Sequence, residues 1–318
     1  MSAALPRIGW IGTGRMGFAL AGRLLDAGYD VAVYNRTRAK AEPLSERGAK
    51  IVDAPVDLAD REIVFVMVAG SADLEAVTGG EGGLLTHPDA VPRIVIDSST
   101  VSSEASASVR KHAASRGSQL LAAPVSGNPK VVRAGKLTFA VSGPRTAFDE
   151  AEPLLRCLGQ GVTYVGDDEV ARLVKICHNI FLGVVIQSLS EITLLAERGG
   201  TSRAAFLQFL NDSVMGSTFS RYKTPALVNL DFTPTFTMPL LSKDFDLGLA
   251  AAHELAVPMP LAAAAAQLVA SAIGAGHRDE DFAALILEQA RRSGMTLEPE
   301  NVDVDDGLGG KPAAASRP

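Results

Sequence analysis

The segment Asp168 to Arg198, DEVARLVKICHNIFLGVVIQSLSEITLLAER, constrains the fold of this chain more than any other stretch. Its pattern predicts one helix of about 30 residues, roughly 45 Å long. Asp167 or Asp168 stands where a cap for the first N–H groups belongs, and Gly199-Gly200 where a helix stops. Between Ile176 and Leu195 apolar side chains fall on nearly every side, whereas a surface helix carries a single apolar stripe. The expectation is a helix covered by protein all round, wedged between two domains. Lys175 and Asn179 lie four residues apart on one face of it, with His178 beside them. An ammonium in such a setting costs free energy unless it is paired or used. The alternative is a lysine that snorkels to water near the helix start.

The chain differs in kind on the two sides of this helix. Upstream, apolar runs at Arg7 to Ile11, Val31 to Tyr34, Ile63 to Val68 and Ile94 to Ile96 alternate with helical patterns near Arg15 to Ala27, Arg38 to Arg47, Ala72 to Val77 and Ser102 to Ser115. Such alternation means a parallel sheet with helices on both faces. Further strands are expected at Gln119 to Ala122, Leu137 to Ser142 and Thr163 to Val165, with a helix from Pro144 to Leu158. Downstream only helical patterns remain, at Arg203 to Asn211, Ser242 to Leu255, Pro260 to Ile273 and Asp279 to Arg292. The change places a domain boundary near Gly166. It divides the chain into residues 1–166, a helical domain 167–295, and a tail 296–318. That tail is rich in Pro, Gly, Asp and Ala, has little to bury and reads as disordered.

Composition removes several classes of function. The chain has 318 residues, 47% of them hydrophobic, and a net charge of −6, which argues against nucleic acid or an anionic membrane as the main partner. The start, MSAALPRIGW, lacks a basic region followed by an unbroken apolar core, so no secretory leader is expected. Lys175, His178, Asn179 and Gln187 interrupt the longest apolar run, so no membrane span is expected either. Only Cys157 and Cys177 are available for a disulfide, which points to a reducing, cytoplasmic setting. Cys177, in apolar helical company, is expected to pack.

Gly12-Thr13-Gly14-Arg15-Met16-Gly17 follows the first strand directly and opens the first helix. In this G-x-G-x-x-G pattern the first glycine permits the turn, the second lets a pyrophosphate approach the backbone, and the third packs helix on strand. Position makes the motif specific, and the expected fold is a Rossmann-type, doubly wound parallel sheet followed by an all-α domain. An NAD site would carry an acid about 20 residues on, at the end of the second strand, to hold the ribose 2′-OH. Here that place holds Asn35-Arg36-Thr37. Asn35 removes the carboxylate that would repel a 2′-phosphate, Arg36 can pair with that phosphate and Thr37 can donate to it. The expected cofactor is NADP, with NADPH preferred over NADH; the alternative is that Arg36 and Arg38 merely begin a solvated helix.

Two loops at the carboxyl ends of later strands complete the candidate site. Asp97-Ser98-Ser99-Thr100 follows one strand and Pro124-Val125-Ser126-Gly127-Asn128 the next. The second can aim the Ser126 hydroxyl and the Gly127 N–H at a small carboxylate. Either would serve equally as an ordinary turn.

Together these pieces resemble the β-hydroxyacid dehydrogenases, the family of 3-hydroxyisobutyrate dehydrogenase and tartronate semialdehyde reductase. The likeness runs from Ile8 to about Arg292 through IGWIGTGRMG, NRT, DSST, APVSG with AGKL, the KxxxN of the long helix, and SKDFDLGLAAAHELAVPMPL. The resemblance implies that Lys175 is the catalytic lysine and that Ser126, Gly127 and Asn179 hold substrate. It also implies that Thr100 and Lys243 reach the cofactor and that Met67 and Val68 line it. Ala122, Asn128, Val131-Val132, His178, Glu169 and Ala171 depart from the family's usual residues, which predicts an altered pocket with Asn128 and His178 among its walls.

Hydride transfer needs a group that takes or gives the hydroxyl proton. Lys175 suits this if its pKa, ordinarily about 10.4, falls to roughly 7 to 8. Asn179 can orient substrate or lysine, and His178 can donate or simply fill space. The expected reaction is NADP-dependent oxidation of a small, carboxylate-bearing 3-hydroxy acid to its semialdehyde or keto acid, or the reverse. Rivals are an imine reductase, against which Lys175 counts, and an NADP-binding protein without catalysis. Alanines at Leu249 to Ala252 and Leu261 to Ala266 allow close helix contacts, either within the domain or in a homodimer or homotetramer.

Overall fold

The computed structural model describes residues 5–309, and the chain divides between Lys175 and Ile176 into two compact units. Unit 1 runs β1 (Ile8–Ile11), α1 (Arg15–Asp26), β2 (Val31–Tyr34), β3 (Lys50–Ile51), β4 (Ile63–Val66), α2 (Ser71–Gly79), β5 (Ile94–Asp97) and α3 (Ser103–Ser115). It continues through β6 (Gln119–Ala122), β7 (Val125–Ser126), α4 (Pro129–Arg133), β8 (Thr138–Ser142), α5 (Arg145–Leu158) and β9 (Gly161–Gly166) into α6 (Val170–Arg198). The strands lie in the order β3-β2-β1-β4-β5-β6-β8-β7, with β9 beside β8. Every pair from β3 to β6 is parallel, while β8 runs antiparallel to β6 and β7. This is the expected doubly wound sheet. Its central strands are buried on both faces, so β1, β4 and β5 read as unbroken apolar runs. On one face Trp10 stacks on Phe65 with ring centroids 4.9 Å apart, and Leu20 and Leu24 of α1 join the same core.

Two local expectations in this unit change. The helix expected over Arg38 to Arg47 forms as two 3-10 turns, Arg38–Lys40 and Glu42–Arg47; Pro43, which has no N–H, would sit in the interior of one continuous helix but is tolerated in the first turn of a new one. The short helix α4 was not anticipated. It exists because Asn128 caps it and Pro129 fills a first-turn position where no N–H is needed.

Helix α6 is continuous, and the division between units falls within it rather than at Gly166. Its start is not capped by a carboxylate in the expected way. Asp168 takes a left-handed φ of 50° and its carbonyl accepts from Arg110 Nη2 and Ser142 Oγ, both 2.7 Å away, while the Asp167 carboxylate accepts from the Tyr164 hydroxyl. The end is as expected. Gly200 at φ 95° lets its own N–H reach Glu197 O and the Thr201 N–H reach Ala196 O, the paired bonds of a Schellman motif. Complete coverage of the helix is not found, since Phe181 is 69% and Leu195 74% exposed. Cys177 is likewise exposed rather than packed. By length and composition α6 could cross a membrane, but half of its most apolar window is buried inside the protein.

Unit 2 consists of the rest of α6 with α7 (Arg203–Asp212), α8 (Thr218–Asn229), α9 (Met238–Glu254), α10 (Pro260–Gly274) and α11 (Leu285–Arg292). Its core joins Ile180, Ile186 and Leu189 of α6 to Leu241 and Phe245 of α9 and Val269 of α10. Gly248 of α9 meets α6 so closely that a Cβ there would lie 2.1 Å from Ile180 Cδ1. Helix α8, rich in Ser and Thr and containing Pro225, gave no periodic signal; a Ser217–Ser220 capping box starts it.

The tail corrects its expectation within the described residues. Arg203, fully buried, donates to the carbonyls of Val228 and Glu298, and Glu300 accepts from the N–H groups of Arg203 and Ala204. Asn229 then exchanges two bonds with Val302. A buried arginine holds the segment, and Leu297 and Val304 pack against the unit 2 core while Leu308 is buried, which composition could not reveal. Residues 310–318 of the expected disordered tail lie outside the described residues.

Candidate active site

The glycine loop sits at the carboxyl end of β1, beside the end of β4, where the strand order reverses and a doubly wound sheet opens its ligand crevice. Gly12 has φ 95°, and a Cβ on it would lie 2.1 Å from the Met67 carbonyl. A Cβ on Gly17 would lie 2.0 Å from the Gly12 carbonyl, which also accepts from Trp10 Nε1 at 2.9 Å. Gly14, by contrast, faces open space at the start of α1. A tight turn, an open approach to helix N–H groups and close helix packing thus fall on Gly12, Gly14 and Gly17 in that order. Arg15 and Met16 form the first turn of α1, which carries no acid to repel an anion.

Asn35 does more than lack a charge. Its Oδ1 accepts from the Thr13 N–H and its Nδ2 donates to the Thr37 carbonyl, both at 2.8 Å. A carboxylate could make the first bond but not the second. Arg36, on the surface at the end of β2, forms an ion pair with Asp73 of α2 at 3.0 Å. Arg38 pairs with Asp53.

The loops after β4 and β5 are tied together. The Val68 N–H donates to Ser99 Oγ at 2.9 Å, and the Ser99 N–H to Asp97 Oδ1 at 3.0 Å. Thr100 is half-buried. Thr13 Oγ1 and Ser98 Oγ are buried with no partner, on the loops after β1 and β5. Two orphaned hydroxyls and the open Gly14 surface are features that a bound dinucleotide would satisfy.

On the next loop, Gly127 has φ 137°, and a Cβ there would collide with Val131 and Leu137. Ser126, half-buried, pairs in register with Thr138 of β8. Asn128, expected to face substrate, uses its Oδ1 to cap α4, accepting from the Lys130 and Val131 N–H groups at 2.9 and 3.0 Å. Its departure from the family's usual residue thus accompanies a helix cap.

Lys175 is half-buried on α6. Arg172, three residues earlier, is buried against Asp97, so the carboxylate of the Asp97-Ser98-Ser99-Thr100 loop points at a cation of the fold rather than into the crevice. In unit 2, Asn179 is buried and donates from Nδ2 to Asp244 Oδ2 at 2.5 Å, while its Oδ1 lies 2.9 Å from His178 Nδ1. His178 itself is exposed. Lys243, 40% exposed, has its Nζ 3.8 Å from Asp244 Oδ1. Asp244 was missed from sequence, although SKDFD belongs to a block already noted; only the contact with Asn179 singles it out. No cluster of metal-ligating side chains exists among the described residues.

These features define a dinucleotide-binding oxidoreductase fold, and comparison with known proteins narrows it. Residues 7–166 match the NAD binding domain of 6-phosphogluconate dehydrogenase, and residues 170–288 match the NAD-binding domain of NADP-dependent 3-hydroxyisobutyrate dehydrogenase. The 3-hydroxyisobutyrate dehydrogenase of Pseudomonas aeruginosa is 31% identical over 288 residues, spanning 87% of this chain and 96% of that protein. The crystal structure of 3-hydroxyisobutyrate dehydrogenase from Salmonella typhimurium superposes with a TM-score of 0.79 at 26% identity, covering 89% of this chain and 100% of that one. An imine reductase from Pseudomonas sp. shares the fold at a TM-score of 0.60 and 20% identity, over 90% of this chain and 100% of that one. The chain belongs to the β-hydroxyacid dehydrogenase family. It is an NAD(P)-dependent oxidoreductase of CH–OH groups, and the family's substrates are small hydroxy acids.

Proposed function

We propose that this protein oxidises a small 3-hydroxy acid to its semialdehyde or keto acid with NADP, or runs the reverse reduction with NADPH, using Lys175 as the proton-transfer group. The observation that carries the reading is Lys175 on α6, anchored through Arg172 to the loop after β5, in a chain whose glycine loop presents an open helix start. The bound nicotinamide supplies the hydride acceptor or donor. Lys175 takes the hydroxyl proton during oxidation and returns it to the forming alkoxide during reduction. Ser126 Oγ and the Gly127 N–H receive the substrate carboxylate, because only glycine leaves that backbone both sharply turned and unscreened. Asn179, one turn along α6, has its carboxamide oriented by Asp244 and His178 and steers the substrate oxygen. Thr13, Met67, Val68, Ser98 and Thr100 surround the nucleotide, with Lys243 assigned to it by the family likeness.

NADP specificity rests on Arg36, whose surface pairing with Asp73 is of the weak kind that a 2′-phosphate can displace. Retention of Lys175 favours a hydroxy acid over an imine as substrate. Two cysteines, neither in a disulfide, accord with action in a reducing compartment such as the cytoplasm. Exposed Leu255, Val257 and Leu261 offer an apolar face for self-association as a dimer or tetramer, to be checked by light scattering. The reading is tested by following NADPH absorbance with 3-hydroxyisobutyrate, other hydroxy acids, their aldehydes and a cyclic imine. Turnover of the imine alone would replace it with the imine reductase reading, and NADPH binding without turnover of any compound would leave only a binding protein.

A further inference from the structure

Helix α6 carries a second cation, Arg172, one turn before Lys175 and almost wholly buried. Its guanidinium donates from Nη2 to Asp97 Oδ2 at 2.5 Å, from Nη1 to the Ser99 carbonyl at 2.7 Å, and from Nε and Nη2 to Ser106 Oγ at 3.2 and 3.1 Å. Asp97, with a side chain at 0% exposure, uses its other oxygen on the Ser99 N–H. Glu169, the other nearby acid, lies 3.9 Å from Arg172 Nε and is engaged by Arg110 at 2.6 Å. Four of the five guanidinium N–H groups of Arg172 are thus engaged and the group is shut away from solvent, so it is not itself a site for a substrate anion.

We propose that Arg172 is a positioning residue for the reaction: its fork locks the start of α6 onto the loop after β5 and so sets where Lys175 holds its proton relative to Ser98, Ser99 and Thr100. Two fully buried charges are a poor device for stability alone, because an apolar pair of similar volume does as well or better. What they supply is direction. A planar guanidinium bonded to a carboxylate, a carbonyl and a hydroxyl at once fixes three elements in one geometry. Through Ser99, whose Oγ accepts from the Val68 N–H, the same lock reaches the end of β4 and the Met67 carbonyl packed on Gly12. One side chain thus ties α6, α3, the loop after β5 and the edge of the nucleotide crevice together. Proton donors misplaced by about 1 Å slow turnover by about 100-fold, and Lys175 is only about 4.5 Å of helix rise from the anchor.

The inference rests on the proposed role of Lys175, and the test separates the two. Arg172→Lys keeps the charge but loses the fork. The double variant Arg172→Gln/Asp97→Asn removes both charges together, so that neither is left buried alone. For each, thermal stability, turnover of 3-hydroxyisobutyrate, and NADPH affinity are measured, the last from the fluorescence of Trp10, the protein's single tryptophan. Its indole already bonds the Gly12 carbonyl of the nucleotide loop. The expected result for both folded variants is a kcat at least about tenfold lower with NADPH affinity within about threefold of wild type. Turnover within about threefold of wild type, or a loss of NADPH affinity that matches the loss of turnover, overturns the proposal. If neither variant folds, Ser106→Ala decides. It removes only the hydroxyl that two guanidinium N–H groups share, and a kcat unchanged within about 1.5-fold counts against the lock. Lys175→Ala, in the same assay, reports on the parent reading: its full activity sinks that reading whatever Arg172 does.

Discussion

Each unit of the molecule contains a buried ion pair, and the two pairs do different work. In unit 2, Lys223 of α8 meets Asp281 at 2.5 Å with both side chains 3% exposed. Asp281 also accepts from Thr235 and from the Phe236 and Ala283 N–H groups, and the Lys223 ammonium lies 4.1 Å from the centre of the Phe282 ring. Burial pushes the Asp281 carboxyl up, but the Lys223 charge and the bonds from Lys223, Thr235 and Ala283 outweigh it and hold the pKa below its usual range. Everything gathered there is scaffold. In unit 1, Arg172 and Asp97 are as deeply buried, yet what they gather is the loop after β5, the end of β4 and the turn of α6 that bears Lys175. The chemistry of the two pairs is nearly the same. On the proposed role of Arg172, loss of the first pair is expected as unfolding and loss of the second as slow turnover.

The comparison breaks or sharpens under substitution, and the largest expected effect is at Lys175. Lys175→Ala should lower kcat by about 1,000-fold or more, equivalent to about 4 kcal/mol of barrier, with the melting temperature and NADPH affinity nearly unchanged. Steady-state kinetics beside calorimetry check this, and a variant with near-normal kcat would remove the function assigned to unit 1. Next, Lys223→Met leaves Asp281 buried and unpaired and should cost about 3 to 5 kcal/mol of stability. The fraction that remains folded should turn over normally; a selective fall in kcat would erase the distinction between the two pairs. Smaller again is Arg36→Ala. It should weaken NADPH binding by about 1.5 to 3 kcal/mol while leaving NADH nearly unaffected, read as kcat/KM for each cofactor.

The smallest effect is a pH dependence in unit 2. Bonds from Arg291, then from Ser271 and Arg292, hold the Glu288 carboxyl at about 2 against the opposing push of burial. A carboxyl depressed in the folded state stabilises fully above its unfolded pKa, about 4.3, and the contribution fades as pH falls from there toward 2. Exposed arginines reduce its size to about 1 to 2 kcal/mol. Urea unfolding of wild type and Glu288→Gln should therefore differ at pH 6 and converge on acidification. A gap that widens on acidification would mean the sign is wrong.

Some of the site was legible without coordinates because its signals are local. The Gly12, Gly14 and Gly17 spacing is dictated by backbone geometry within one turn, and the structure shows the tight turn at Gly12, an open face at Gly14 and close packing at Gly17. The end of α6 at Gly199-Gly200 and the alternation of strand and helix follow from equally local rules. Asn128 shows the limit. It is read as a pocket wall from its departure from a family pattern, and that its Oδ1 also caps a helix start emerges only once the neighbouring N–H groups are placed. The tail shows it again, since Arg203, about a hundred residues upstream, is what holds Glu298 and Glu300.

Fold class, the nucleotide loop and the family were determined by the sequence itself, because glycine placement and hydrophobic period act over a few residues and need no partner from elsewhere in the chain. Tertiary structure alone decided that Asp97 serves Arg172, that Asp244 holds Asn179, and that Lys223 finds Asp281. Each of these bonds joins residues far apart in sequence. Whether a buried charge is compensated depends on which distant group the folded chain brings within about 3 Å of it.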